Sequence, residues 1–353
     1  MIVNQWVPAA HAGDAVGDSA LRVRHLLRSL GHTAEIYAMQ IDDTLIDDVR
    51  PFQDPDAARG DITILHYAIA SAMTVAFGSL SGRRVVQYHN VTPPEFFAPY
   101  DMALFRLATR GREELKSLAG HVDLALGVSE YNRRELEALG FSRTGVLPIA
   151  VDPARLAARV SNLALETVLD DGVANFLHVG RVAPNKKFED HIRLAALYSR
   201  YVDSGCRFIF VGKYDVVPRY YSMVRSLVTQ YGLHDRVIFT GAVPDEELAI
   251  YYQHADVYIS LSEHEGFCVP LLEAMAADVP VMAYAAAAVP ETLGGAGVQF
   301  APKDLELAAE LLAELTFDED LRARVIAGQR KRLRDFGDDR LSHGLSALIG
   351  SLS

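Results

Sequence analysis

Cysteine is nearly absent. Cys206 and Cys268 are the two present in 353 residues, which gives neither a disulfide framework nor a set of zinc ligands and fits the reducing cytoplasm. Long apolar runs are lacking too, and no stretch approaches the ~18 residues that a membrane span needs. The start, Met1-Ile2-Val3-Asn4-Gln5-Trp6, has neither the basic opening nor the apolar run of a signal peptide. Basic residues are in the minority, with 34 Lys and Arg against 46 Asp and Glu and a formal net charge of -12. That balance excludes a general nucleic-acid binder. Familiar phosphate loops are missing. There is no GxxxxGK followed by Ser or Thr, and Gly294-Gly295-Ala296-Gly297 lacks the strand before and helix after that would make it a dinucleotide fingerprint. Ser129 lacks the G-x-S-x-G elbow, and His264-Glu265 has no second His at metalloprotease spacing. No pattern points to a protein-held metal.

What is present is ordinary globular material, 50% hydrophobic and 23% charged, at a length of about two domains. Short apolar runs alternate with helical patterns. Ile62 to His66, Arg84 to His89 and Asp123 to Val128 read as buried parallel strands. Helices are expected from Asp18 as N-cap to a stop at Gly31, and from Tyr131 to a stop at Gly140. The second half repeats the style, with strands at Asn175 to Gly180, Arg207 to Gly212, Val237 to Gly241, Asp256 to Leu261 and Pro280 to Tyr284. This alternation predicts an α/β chain, doubly wound twice over. Expected boundaries are 1–155, 156–335 and a helical tail 336–353 that packs back on the first domain, within a helical stretch running from Arg330 to Ile349.

Ligands in such sheets bind beyond the carboxyl ends of the strands. Three segments of the second half end up there. Gly180-Arg181 closes one strand and leads to Lys186 and Lys187. Gly212-Lys213 closes the next. Ser262-Glu263-His264-Glu265-Gly266-Phe267-Cys268 closes a later one and runs into a helix that Pro270 can start, with Glu273 just inside it. Cations facing a helix N-terminus suit a diphosphate, and the paired acids suit a hydroxyl-rich ligand. The competing reading is a set of solvated loop charges, with one Glu favoured by the helix dipole. In the first half, Gly13-Asp14 lies between the first strand and first helix, where backbone can approach a ligand closely. His89-Asn90 follows a strand before Pro93-Pro94 and is placed to touch substrate. His66 also ends a strand and reads as structural.

These residues resemble the retaining glycosyltransferases of family 4, with the GT-B fold. The resemblance rests on Gly180-Arg181 through Lys186, on Phe239-Thr240-Gly241-Ala242-Val243-Pro244 with Glu246-Glu247-Leu248, on Ala255-Asp256-Val257, and on Glu265-Gly266-Phe267 through Glu273-Ala274-Met275-Ala276. It implies two Rossmann-like doubly wound domains facing a central cleft, the C-terminal one for a nucleotide-sugar donor and the N-terminal one for the acceptor. Arg181 and Lys186 match the binders of the donor diphosphate, and Glu273 matches the binder of the ribose. Glu265 and the backbone of Gly266, Phe267 and Cys268 match the sugar loop. Val243 falls where backbone touches the base, and Gly13 falls in a loop near the phosphates. Glu265, His89, Arg181 and Lys186 are the expected catalytic set, and Asp14, His89 and Asn90 the expected acceptor contacts. Paired glycines are frequent in the family where this chain has Gly13-Asp14. Cys268 and Asp278 replace common glycines, the former with little expected effect.

The implied activity is retaining transfer of a hexosyl group without a metal or other cofactor. Tyr88-His89-Asn90-Val91-Thr92-Pro93-Pro94-Glu95-Phe96-Phe97 looks like the corresponding stretch of bacterial exopolysaccharide mannosyltransferases, which implies GDP-mannose as donor and a saccharide or polyprenyl-diphosphate-linked saccharide as acceptor. A lipid-linked acceptor implies peripheral visits to the inner membrane, for which Phe105-Arg106, Arg110, Arg112 and Lys116 offer some basic amphipathic character. The alternatives are a UDP-sugar-dependent family 4 transferase, a GT-B nucleotide-sugar epimerase or hydrolase, and a non-catalytic nucleotide-sugar-binding protein.

Overall fold

Strands that alternate with helices pair in parallel, and here they form two separate parallel sheets. The computed structural model describes residues 1–11, 13–156 and 161–352. The first sheet takes β1 (Ile2–Ala10), β2 (Thr33–Ile41), β3 (Arg50–Pro51), β4 (Ile62–Tyr67), β5 (Arg83–Tyr88), β6 (Leu124–Gly127) and β7 (Thr144–Val146). Its order is β3-β2-β1-β4-β5-β6-β7. The second takes β8 (Ala174–Val179), β9 (Cys206–Val211), β10 (Val237–Gly241), β11 (Val257–Ser260), β12 (Val281–Tyr284) and β13 (Val298–Phe300), ordered β10-β9-β8-β11-β12-β13. In each sheet the chain runs outward from a central strand, then returns and runs outward the other way. The reversal falls between β1 and β4 in the first sheet and between β8 and β11 in the second. Such a switch point is where the loops after two adjacent strands diverge and leave room for a ligand.

The strands β3, β7 and β13 are two or three residues long, too short to carry a readable period, and sequence alone does not predict them. The first helix starts earlier than expected. It spans Ala15–Ser29 with Asp14 at the N-cap, so Asp18 sits in the first turn and accepts the Gly13 N–H at 3.3 Å. The extra turn buries Val16 against a cluster of Val7, Ala10, Ala20 and Ile36, a packing gain that a cap signal does not reveal. Gly31 and Gly140 end their helices as expected, with φ of 84° and 96°.

The chain forms two compact units. The first comprises Met1–Glu95, Met102–Asp152 and Asp335–Ser353, the second Phe96–Asp101 and Pro153–Arg334. Boundaries at 155 and 335 did not foresee the small insertion Phe96–Asp101. Its Tyr100 ring meets Tyr220 edge-on with centroids 5.1 Å apart. The stretch Arg330 to Ile349 is not one helix. Helix Glu319–Leu333 ends in a 3-10 turn at Arg334–Phe336, and a new helix, Asp338–Leu352, begins after Gly337. That last helix places Leu341, Leu345, Leu348, Ile349 and Leu352 in the core that holds Val3, Leu26, Ile64 and Val85.

The helix Met102–Ser117 presents less basic surface than its sequence implies. Arg112 bonds Glu135 and the Val91 carbonyl, and Arg110 pairs with Glu114 at 2.6 Å. Among the described residues no helix is long and apolar enough to cross a membrane.

Candidate donor-binding site

The second sheet's switch point gathers the loops after β8 and β11. A backbone constraint shapes the first of them. A Cβ on Gly212, at the end of β9, would lie 2.3 Å from the Gly180 carbonyl oxygen, so the two strand ends touch only because Gly212 has no side chain. From Gly180 the chain turns through the short helix Pro184–Lys186. Asn185 ties this loop to the one after β11. Its side-chain amide donates to the His264 carbonyl at 3.0 Å, and its own carbonyl accepts the Glu263 N–H at 2.9 Å.

This tie brings Lys186 to Glu265. The ammonium donates to Oε1 at 2.7 Å, and the two side chains are 16% and 9% exposed. Burial alone would raise a carboxyl, but the charge of Lys186, with hydrogen bonds from Lys186 and Ser262, holds Glu265 below its ordinary range. Burial would likewise lower Lys186, and Glu265 more than offsets it. Beneath the pair lies His178, which donates from Nδ1 to the Ile259 carbonyl at 2.8 Å. Burial, then the Lys186 charge, hold it down to about 4, so it is neutral. Arg181 is exposed and has no ion pair or hydrogen bond among the described residues. A cation without a partner, beside a buried neutralised pair, is equipped to meet an anionic group.

Glu273 is held separately. It sits in the helix Val269–Ala276 and takes hydrogen bonds from Arg155 and from the Tyr252 hydroxyl, both at 2.8 Å. Burial is the stronger influence and pushes its carboxyl above the ordinary range despite these partners. Arg155 also lies 3.2 Å from Asp245. The two acids are therefore not a shared acid/base pair, and each has its own cation. Arg155, Tyr252 and Asn185 were not foreseen. Arg155 is 118 residues from Glu273 and Asn185 is 79 from His264, and no local pattern marks such partners.

Cys268 is the N-cap of the Glu273 helix, in left-handed conformation at φ 71°. Asp278 is left-handed too, at φ 57°. Both positions favour glycine for steric reasons, so the expectation that Cys268 has little effect underrates its backbone cost. Burial raises the Cys268 thiol. The Phe267 carbonyl accepts the Thr292 hydroxyl at 2.5 Å, and the Glu265 carbonyl accepts the Ala288 N–H at 3.3 Å, which fixes the loop through Gly266. Val243 is half-buried in the loop after β10.

Gly13, Asp14, His89 and Asn90 belong to the first unit. Gly13 has φ 75° with open space around its α-carbon, and Asp14 is exposed. Asn90 is left-handed at φ 87° and donates to Asn132 Oδ1 at 2.9 Å. His89 lies 2.9 Å from His66. Among the described residues no cluster of three or more His, Cys, Asp or Glu side chains is arranged to hold a metal ion.

Residues 166–332 match the family model described as glycosyl transferases group 1. The serotype-specific mannosyltransferase WbdA of Escherichia coli is 27% identical over 180 residues, which are 50% of this chain and 22% of that protein. A GDP-mannose-dependent alpha-mannosyltransferase of Mycobacterium tuberculosis is 30% identical over 235 residues, 64% of this chain and 57% of that protein. The chain's matches thus span about a fifth of the first relative's length and little more than half of the second's. Among solved structures, Anabaena Alr3699/HepE in complex with UDP and glucose has a TM-score of 0.76 at 17% identity, covering 100% of both chains. The match to the group 1 glycosyl transferase model thus lies within the second unit, and the likeness to the solved structure over the whole chain gives the GT-B fold.

Proposed function

We propose that the chain is a retaining hexosyltransferase that moves a mannosyl group from GDP-mannose to a saccharide or lipid-linked saccharide in polysaccharide or glycoconjugate synthesis. The observation that carries this reading is the buried Lys186–Glu265 pair beside the unpaired Arg181, at the switch point of the second sheet. Arg181 and Lys186 face the donor diphosphate and stabilise the charge it gains on leaving. Glu265 and the backbone of Gly266, Phe267 and Cys268 hold the hexose, Glu273 holds the ribose, and Val243 and Gly13 touch base and phosphate. The cations take the part that a divalent metal plays in other transferases, so no cofactor is required.

The bond from the anomeric carbon to the diphosphate oxygen breaks as a bond to the acceptor oxygen forms on the same face. The acceptor's proton passes to the departing phosphate oxygen. No covalent enzyme intermediate is needed, and His89, Asp14 and Asn90 are assigned to orient the reacting saccharides. The relatives' printed names support mannose and guanosine diphosphate. A lipid-linked acceptor brings a cytoplasmic enzyme to a membrane face, with Arg106 and Lys116 exposed on their helix.

Thermal unfolding with GDP, UDP, ADP and their sugars tests the donor. GDP-mannose at about 100 times its dissociation constant adds ~2.7 kcal/mol of stability. A larger shift with UDP-glucose than with GDP-mannose refutes the donor assignment. Glu265→Gln is expected to cut transfer about 100- to 1000-fold, and full activity in that variant removes Glu265 from the mechanism. A product of inverted anomeric configuration excludes retention. Sugar conversion without any acceptor marks an epimerase or hydrolase instead.

A further inference from the structure

Gln5, His66 and His89 form one hydrogen-bonded line across the first sheet. Gln5 lies on β1, His66 on β4 and His89 just past β5, and these three strands are neighbours in that order. The line has a direction. The Ala20 carbonyl can only accept, so the Gln5 amide turns its nitrogen to it, at 3.0 Å. Gln5 Oε1 is then left to face His66 Nε2, 2.9 Å away, and that nitrogen must donate. A neutral imidazole carries one N–H, so His66 Nδ1 is bare. His89 Nε2 lies 2.9 Å from it and must donate in turn. The proton of His89 is thereby fixed on Nε2, and its Nδ1 keeps a lone pair. That nitrogen is buried and has no hydrogen-bond partner among the described residues.

The surroundings keep both rings neutral. Gln5 and His66 are fully buried, and the imidazoles stack with centroids 5.1 Å apart. Burial holds His66 down to about 3, and burial with the neighbouring His66 holds His89 well below its usual value. A buried acceptor without a donor is costly. A phosphate or carboxylate oxygen cannot relieve it, because those groups bring lone pairs of their own. A hydroxyl can.

We propose that Gln5 and His66 are positioning residues that lock His89 with a bare Nδ1, so that this atom accepts a hydrogen bond from a saccharide hydroxyl and turns away anionic groups. The proposal deepens the transferase reading and rests on it for the identity of the hydroxyl.

Long-range proton–nitrogen correlation on the ¹⁵N-labelled full chain reads the tautomer with no substrate present. The native chain is expected to show His89 protonated at Nε2 and bare at Nδ1, and a protonated Nδ1 there overturns the proposal without any variant. Gln5→Met removes the first acceptor, frees His66 to carry its proton on Nδ1, and moves the His89 proton to Nδ1. Gln5→Glu still offers an oxygen to His66 and is expected to restore the native pattern. In titrations, Gln5→Met weakens GDP-mannose about tenfold and leaves GDP unchanged, and Gln5→Glu recovers most of the loss. An unmoved His89 proton in Gln5→Met, or equal weakening of GDP and GDP-mannose, defeats the positioning role. A native tautomer pattern with no binding of any nucleotide-sugar defeats the transferase reading and the hydroxyl assignment, while the relay stands.

Discussion

Glu265 and Glu273 sit eight positions apart, and their surroundings push the two carboxyls to opposite sides of the ordinary value. Glu265 is held below its ordinary value by Lys186, so the fold favours its ionised form. That contribution is present above the unfolded pKa and is lost as pH falls through the folded one. Glu273 is raised by burial, so the fold binds its proton more readily than the unfolded chain does. Its contribution to stability therefore declines as pH rises out of the acid range. Urea titrations at pH values on either side of 4.5, the ordinary value for both, distinguish the two. The stability lost in Glu265→Gln is expected to grow as pH rises, and the difference between native chain and Glu273→Gln to move the opposite way. Parallel pH profiles for the two variants contradict these assignments. The residue types of the site were legible in the sequence, because Glu265, Glu273, Arg181 and Lys186 stand at strand ends and a helix start. Their partners were not, because Lys186–Glu265 and Arg155–Glu273 join residues 79 and 118 apart. His66 was legible only as a strand-end residue, since its role depends on which nitrogen carries the proton.

The elements that carry the site owe their approach to missing side chains. A Cβ on Gly212 meets a backbone oxygen at 2.3 Å, whereas one on Gly180 meets the Lys186 side chain at 3.4 Å and the His178 ring at 3.6 Å. Backbone cannot yield as the flexible end of a lysine can. Gly212→Ala is therefore expected to destabilise the chain by about 1–3 kcal/mol, more than Gly180→Ala does, in chemical denaturation of each variant. Equal costs would mean that backbone conformation, not the contact with Gly180, sets the requirement. At this scale the long elements were readable, because buried parallel strands are continuous apolar runs and helices end at glycine. The helix at Ala15–Ser29 starts earlier than its cap signal because Val16 finds a core, and the break at Arg334–Phe336 interrupts a pattern that reads as continuous.

The whole molecule is not two successive domains, since its last helix returns to the first unit. Leu345 is 1% exposed in a core that includes Val3 and Ile64. Leu345→Ala is expected to cost about 2–5 kcal/mol and to lower the unfolding transition of the first unit while that of the second stays in place. Calorimetry on the variant, beside Phe176→Ala in the core of the second unit to mark that unit's transition, checks this. A loss confined to the second transition would contradict the assignment of that helix. The return has a further consequence for how the chain is made. Synthesis runs from the N-terminus, so every residue of the segment Pro153–Arg334 leaves the ribosome before Leu341 to Leu352 do. The unit that is begun first is completed last. Val3, Leu26 and Ile64 therefore wait with one side of their core uncovered until the other unit has been made.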